Sequence, residues 1–269
     1  MGLGQWSKNE KIILFLGVPL VIFLIYLVPS NIKDAYFVLN KNNVSVLSMF
    51  LSNYTHTDFW HLAANVSVYL IVIYLIFKFE TNKSSFYKTI AFLLLILPFI
   101  VSVITVIYVP ALNSQGFSGI VAGSFGYFMY VTYRHIKDTW KLNADISFIS
   151  LLLFINVFLG VASYGLTNNS AFAAVLFVLT IGLLLYNRNL LKSIIILLIN
   201  KHKELNAQHR LLISDYLTFI LALVVLFSLH SLIQVTVQNG SVANAIGHYA
   251  GYVAGIGFPM LVIETKIWK

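Results

Sequence analysis

The chain has 269 residues, of which 59% are hydrophobic and only 10% charged, with a formal net charge of +8 and a mean hydropathy of +0.86. A soluble domain is about half apolar and a quarter charged, so these charges are too few to cover a water-facing surface. No cysteine is present, which removes disulfides, thiolate metal sites and cysteine nucleophiles.

A bilayer core of about 30 Å takes about 20 apolar helical residues. Backbone groups in lipid must be paired internally, so long continuous runs there are helices. Eight spans are predicted, over residues 11–28, 59–79, 86–109, 117–134, 146–162, 171–187, 211–237 and 244–264. The expected fold class is all-α, a polytopic transmembrane helix bundle occupying 1–269 as one membrane domain. The first run is followed by Val28-Pro29-Ser30 and no small-residue cleavage site, so it reads as a retained span rather than a signal peptide. The connection 29–58 mixes apolar runs (Ala35 to Leu39, Val44 to Leu51) with Asn and Lys, which predicts short interfacial helices. In 188–210, Leu190 to Ile199 is apolar but too short to cross comfortably, and reads as interfacial or as an extension of the preceding helix. With the N-terminus in the cytoplasm, 15 of the 17 Lys and Arg residues fall inside and only Lys33 and Lys41 outside. That obeys the positive-inside rule, and the even span count puts both termini in the cytoplasm. The positive charge then reflects basic cytoplasmic loops; no nucleic-acid partner is implied.

Ionisable and polar groups inside spans are costly and mark candidate function. Three places carry them. The second span opens on Thr55-His56-Thr57-Asp58-Phe59-Trp60-His61 and continues to Asn65, the fourth on Gly116-Phe117-Ser118-Gly119, and the last on Gly247-His248, followed by Gly251 and Gly255. All three spans enter from outside, and each polar residue lies in the first two turns, so at about 1.5 Å per residue they share one depth. His61 and Asn65 are four apart and project from one helix face. Gly119, Gly123 and Gly126 beside Ser118, and Gly251 and Gly255 beside His248, allow close backbone approach. Each signal has a structural reading too. A lone G-x-S-G arises in glycine-rich spans, and glycine stripes serve packing. His61 and Asn65 can bond between helices, and histidines with Asp58 at a span mouth can hold a metal. The H-E-x-x-H metalloprotease motif is absent. None of these readings explains the shared depth.

At these residues the chain resembles the rhomboid family. The family's H-x-x-x-N, G-x-S-G and H-x-x-G-x-x-x-G occur here in order as His61/Asn65, Ser118 within Gly116–Gly119, and His248/Gly251/Gly255. His56, five before His61, and Gly126, eight after Ser118, match further family positions. There are departures. The position four after the serine, commonly aromatic in the family, is Ala122, and no Trp-Arg pair occurs in 29–58. Ser118 and His248 are 130 residues apart, with three spans between them where a six-span rhomboid has one. Residues 146–210 therefore read as an insertion of two spans and a cytoplasmic connection into a rhomboid-like six-helix core, which preserves the direction from which His248 enters.

The resemblance implies an intramembrane serine endopeptidase without cofactor or metal. Ser118 would be nucleophile and His248 general base, with the oxyanion held by the Ser118 N–H, His61 and Asn65 beside Gly116. His56, Gly119, Gly251 and Gly255 would support the site. The substrates implied are transmembrane proteins, cut near the outer end of a helix from an active site opening to the outer face. The span 211–237 is the expected gate. For the dyad to form, the helices over 117–134 and 244–264 must pack directly through Gly119, Gly123, Gly251 and Gly255. The alternative is a catalytically inactive rhomboid-like protein that binds transmembrane segments.

Overall fold

Long continuous apolar runs pair their backbone away from water within themselves by coiling into helices, and here they do. The computed structural model describes residues 6–109, 113–165, 170–203, 237–238, 241–242 and 245–264. The described residues are mostly helical: α1 (Lys8–Tyr26), α2 (Val46–Leu51), α3 (Phe59–Phe79), α4 (Lys83–Tyr108), α5 (Ser118–Arg134), α6 (Ile146–Gly165), α7 (Ser170–Tyr186), α8 (Arg188–Lys203) and α9 (Ala245–Glu264). Seven of these coincide with predicted spans to within three residues at each end. The remaining predicted span, 211–237, lies outside the described residues except at its end, and so does the gate assigned to it. By length and composition α1, α3 and α4 can cross a membrane, and α7 with α8 makes a fourth if that bent pair is one span.

Two compact units divide the chain, Met1–Val131 with Val235–Lys269 and Thr132–Gln234. In the first unit polar caps set the helix starts. Ser7 and Glu10 form a capping box at α1, Ser45 caps α2, and Asn82 accepts the Ser85 N–H at 3.0 Å at the start of α4. Such caps contribute about 1 kcal/mol each. Between α1 and α3 the chain makes short helical turns at Ser30–Ile32 and Lys33–Phe37, and then strand β1 (Leu39–Asn40). β1 pairs antiparallel with β2 (Asn113–Ser114), just before α5, in the register Leu39↔Ser114. The short helices expected in 29–58 thus appear as these turns and α2. A second small hairpin, β3 (Val237–Gln238) with β4 (Ser241–Val242), precedes α9.

Helix α5 is central to this unit. Phe117, Ile120, Val121, Phe125, Phe128 and Met129 are all buried. A helix surrounded by other helices needs no lipid-facing side, which is why α5 tolerates glycines and serines that make it less apolar than its neighbours. Lipid tails are as apolar as leucine, so association rests on close packing and hydrogen bonds rather than on escape from water. Both are visible. A methyl group at Gly251 would overlap the Gly119 carbonyl oxygen, one at Gly255 the Gly123 carbonyl oxygen, and one at Gly126 the Tyr252 carbonyl oxygen. Helices α5 and α9 therefore touch backbone to backbone along the predicted glycines. On another side of α5, α4 presents Val101 to Gly119, and Leu93 and Leu97 to Gly123.

Helix α4 has a widened turn at Phe92–Ile96, followed by Pro98. Proline lacks an N–H, so the Leu94 carbonyl has no donor four residues on. The Tyr54 hydroxyl supplies one. Beside it, Asn53 Nδ2 lies 3.0 Å from the Pro98 carbonyl and 2.9 Å from Ser102 Oγ, and Ser102 Oγ donates to the Met49 carbonyl at 2.6 Å. The loop after α2 is thereby fastened to α4. At the opposite end of α3, the Trp6 indole N–H donates to the Phe77 carbonyl at 2.8 Å. There Glu80 accepts from the Thr81 and Asn82 N–H groups at 2.8 and 2.7 Å, and from the Tyr127 hydroxyl at 2.7 Å.

In the second unit α6 and α7 pack against one another. α7 and α8 are bent by 63° at Asn187. Leu190 to Ile199 therefore lies on a helix that leaves α7 at an angle rather than in line with it.

Candidate active site

The Asp58 carboxylate accepts the His61 N–H at 2.7 Å and so starts α3. That gives Asp58 a capping role. From this start α3 presents His61 and Asn65 one turn apart, His61 beside Gly116 of the loop leading into α5 and Asn65 toward His56. His61 is exposed, and its ring edge faces Gly116: a Cβ at Gly116 would stand 3.5 Å from His61 Cε1 and 3.8 Å from Ser118 Oγ. Gly116 has φ +138°, a conformation that other residues rarely adopt, and its N–H donates to the Ser52 carbonyl at 2.8 Å. The glycine of the G-x-S-G motif is thus required by the turn that delivers Ser118.

Asn65 is buried, and its Nδ2 donates to His56 Nε2 at 3.2 Å; the Phe117 N–H donates to the same nitrogen at 3.3 Å. An imidazole nitrogen that accepts is unprotonated, so the proton of the neutral ring sits on Nδ1. Burial, and then the neighbouring His61, push the His56 pKa down to about 4, which keeps the ring neutral and able to accept. His56 thereby joins the loop before α3, Asn65 on α3 and the start of α5. Asn65, expected to face the oxyanion, has one amide N–H engaged by His56, and a primary amide carries two.

Ser118 is the first residue of α5 and half-buried. First-turn N–H groups of a helix have no intrahelical acceptor, so the Ser118 and Gly119 amides point out of the helix end with its positive dipole. Across the glycine contact, buried His248 places Nε2 2.7 Å from Ser118 Oγ. That is the distance of a hydroxyl–imidazole hydrogen bond between helices 130 residues apart in sequence. No span can lie between the two residues. Both belong to the first unit. Ala122 is buried in α5 one turn below the serine, with no ring at that position.

The space beside Ser118 is bounded by Gly116, Gly247 and His248, and on the far side by Asn53, Ser102 and Thr105. It offers about 20 Å³ to the centre of a water-sized sphere, about one water's worth. Asn53, Ser102 and Thr105 escaped the sequence reading. Their signal was faint: Ser102 and Thr105 are three apart on one face of an otherwise apolar span, and Asn53 closes an apolar run.

The Rhomboid domain family model matches residues 43–188, more than half of the chain. The chain belongs to the rhomboid family. Rhomboid domains generally belong to intramembrane serine proteases. The matched residues include His56, His61, Asn65 and Gly116–Gly119, whereas the rhomboid-like H-x-x-G-x-x-x-G at His248 lies beyond them. An uncharacterized protein of Archaeoglobus fulgidus is 34% identical over 65 residues, covering 23% of this chain and 71% of that protein. No solved structure gives a significant match.

Proposed function

We propose that this rhomboid is an intramembrane serine endopeptidase that hydrolyses peptide bonds near the outer end of transmembrane substrate helices through a Ser118–His248 dyad. The observation that carries this reading is the 2.7 Å approach of His248 Nε2 to Ser118 Oγ across a backbone-to-backbone glycine contact. His248 takes the hydroxyl proton as Oγ attacks the peptide carbonyl, and the developing oxyanion meets the first-turn amide of Ser118 with His61 and Asn65 beside it. His248 then returns the proton to the leaving amine as the C–N bond breaks, leaving an acyl ester on Ser118. Water enters beside Asn53 and Ser102, loses a proton to His248 and hydrolyses the ester, restoring both side chains.

Integral, multi-pass membrane character follows from the family and the long apolar helices. Within it we propose eight spans, a rhomboid-like six-helix core plus two more in an insertion at 146–210. Both termini would lie in the cytoplasm, with the site opening to the outer face. The lipid bilayer and transmembrane protein substrates are the proposed partners. Purified protein in vesicles with a model single-span substrate tests this. Wild type should cleave the substrate near its outer end, and Ser118→Ala and His248→Ala should leave it intact. Turnover by either variant at the wild-type rate would remove the dyad. A wild type that retains the substrate uncut would favour the non-cleaving alternative.

A further inference from the structure

Helix α8 is 16 residues long, so it extends about 24 Å. Bent by 63° from α7, it advances only about 11 Å along the α7 axis, too little to cross a bilayer core of about 30 Å. The bend is built in. The Asn187 side chain donates to the Leu183 carbonyl at 2.9 Å and accepts from Ser147 Oγ at 3.1 Å, while the Tyr186 hydroxyl reaches Asp145 at 3.4 Å. Asp145 also accepts from the Ser147 N–H at 2.8 Å. The residues just before and at the start of α6 thus hold the end of α7, from which α8 departs.

The side chains of α8 sort by position. Ile194 is buried and Leu190, Leu191, Leu197 and Leu198 are half-buried, whereas Ile195, Ile196 and Ile199 are exposed. On the same exposed side, one to two turns earlier, stand Arg188 and Lys192, and neither makes an ion pair among the described residues. Residues 188–203 contain Arg188, Lys192, Lys201 and Lys203 and no acid. Exposed isoleucines that follow the unpaired Arg188 and Lys192 on one helix side do not suit water, and they do not suit the middle of a bilayer. They suit its boundary, where apolar side chains dip among acyl chains and basic ones meet headgroups.

We propose that α8 lies in the membrane interface and binds anionic phospholipids. Arg188 and Lys192 contact the headgroups, and Ile195, Ile196 and Ile199 sit in the acyl region. The partner is set by charge complementarity: four cations without an acid favour an anionic over a zwitterionic headgroup, by roughly fivefold per cation at the surface. This inference is independent of the dyad, since it needs neither Ser118 nor His248.

The absence of native cysteine makes single-site labelling of the full chain clean. Ile196→Cys, carrying an environment-sensitive fluorophore, is placed in phosphatidylcholine vesicles containing a small fraction of brominated phosphatidylglycerol or, separately, brominated phosphatidylcholine. Aqueous iodide is the third quencher. Brominated phosphatidylglycerol should quench several-fold more than brominated phosphatidylcholine, iodide should quench little, and Arg188→Gln with Lys192→Gln should remove the difference between the two lipids. Equal quenching by both lipids in the parent would overturn the anionic preference. Strong iodide quenching would put the helix in water, and failure of all three quenchers would mean that protein covers it; either result would overturn the interfacial placement.

Discussion

At one end of α3, Glu80 accepts from two backbone N–H groups and the buried Tyr127 hydroxyl, and the Trp6 indole is bonded nearby, so each of these groups has its partner. At the other end the same helix enters a network left partly open. Asn65 uses one N–H on His56, the Ser118 and Gly119 amides leave the end of α5 without intrahelical acceptors, and His61 is exposed beside them. Similar polar chemistry thus appears twice with different consequences. A closed network fixes helices, because breaking it strands a buried group. An open one has capacity left for a guest oxygen, and it is held in place by a rigid frame: the glycine contact of α5 with α9, and His56.

Mutation should separate the two ends. The largest effect belongs to Ser118→Ala, which should lower turnover of a transmembrane substrate by about 10⁴- to 10⁶-fold. Thermal unfolding should hardly change, because one half-buried hydroxyl is lost beside a water-sized space. Asn65→Ala should reduce kcat by about 10²- to 10³-fold with KM little altered, since an oxyanion donor acts in the transition state. A loss confined to KM would make Asn65 a helix-bonding residue. Gly251→Val or Gly255→Val should push α9 off α5 and with it His248 off Ser118, costing about 100-fold in rate for an ångström-scale displacement. Val178→Phe, at an exposed position of α7, should by comparison be mild. At the closed end, Tyr127→Phe should cost about 1–3 kcal/mol of stability by depriving buried Glu80 of a donor, while activity per folded molecule stays at the wild-type level. A drop in turnover there matching that of Asn65→Ala would erase the distinction between the ends.

Much of this frame was legible in the sequence because the membrane makes patterns blunt. Seven apolar runs read as spans recur as helices, since runs this long and continuous close their backbone hydrogen bonds in lipid within themselves only as helices. The meeting of Ser118, His248, His61 and Gly116 was legible from motif spacing, as was the glycine contact, since small residues four apart on two spans can only face something close. What was not legible depended on particular partners. Nothing in the order of residues says that His56 would accept from both Asn65 and Phe117, or that Asp58 would cap α3 rather than face a cavity. Nor was it legible that Tyr54 would satisfy the carbonyl released by Pro98. Glu80 drew no notice, because a carboxylate at a span end reads as solvated until Tyr127 is seen beside it. Asn187, at the bend, accepts from Ser147, 40 residues away, a contact that no local pattern records.

The proposed pairing of Ser118 as nucleophile with His248 as its base is tested most directly by active-site labelling. Purified wild-type protein in detergent would be treated with a fluorophosphonate and the modified residue located by mass spectrometry. A phosphonyl adduct on Ser118 is predicted, absent from Ser118→Ala and lost from His248→Ala, whose serine has no base to take its proton. An unlabelled wild-type protein, an adduct on another residue, or equal labelling of Ser118 without His248 would contradict the account.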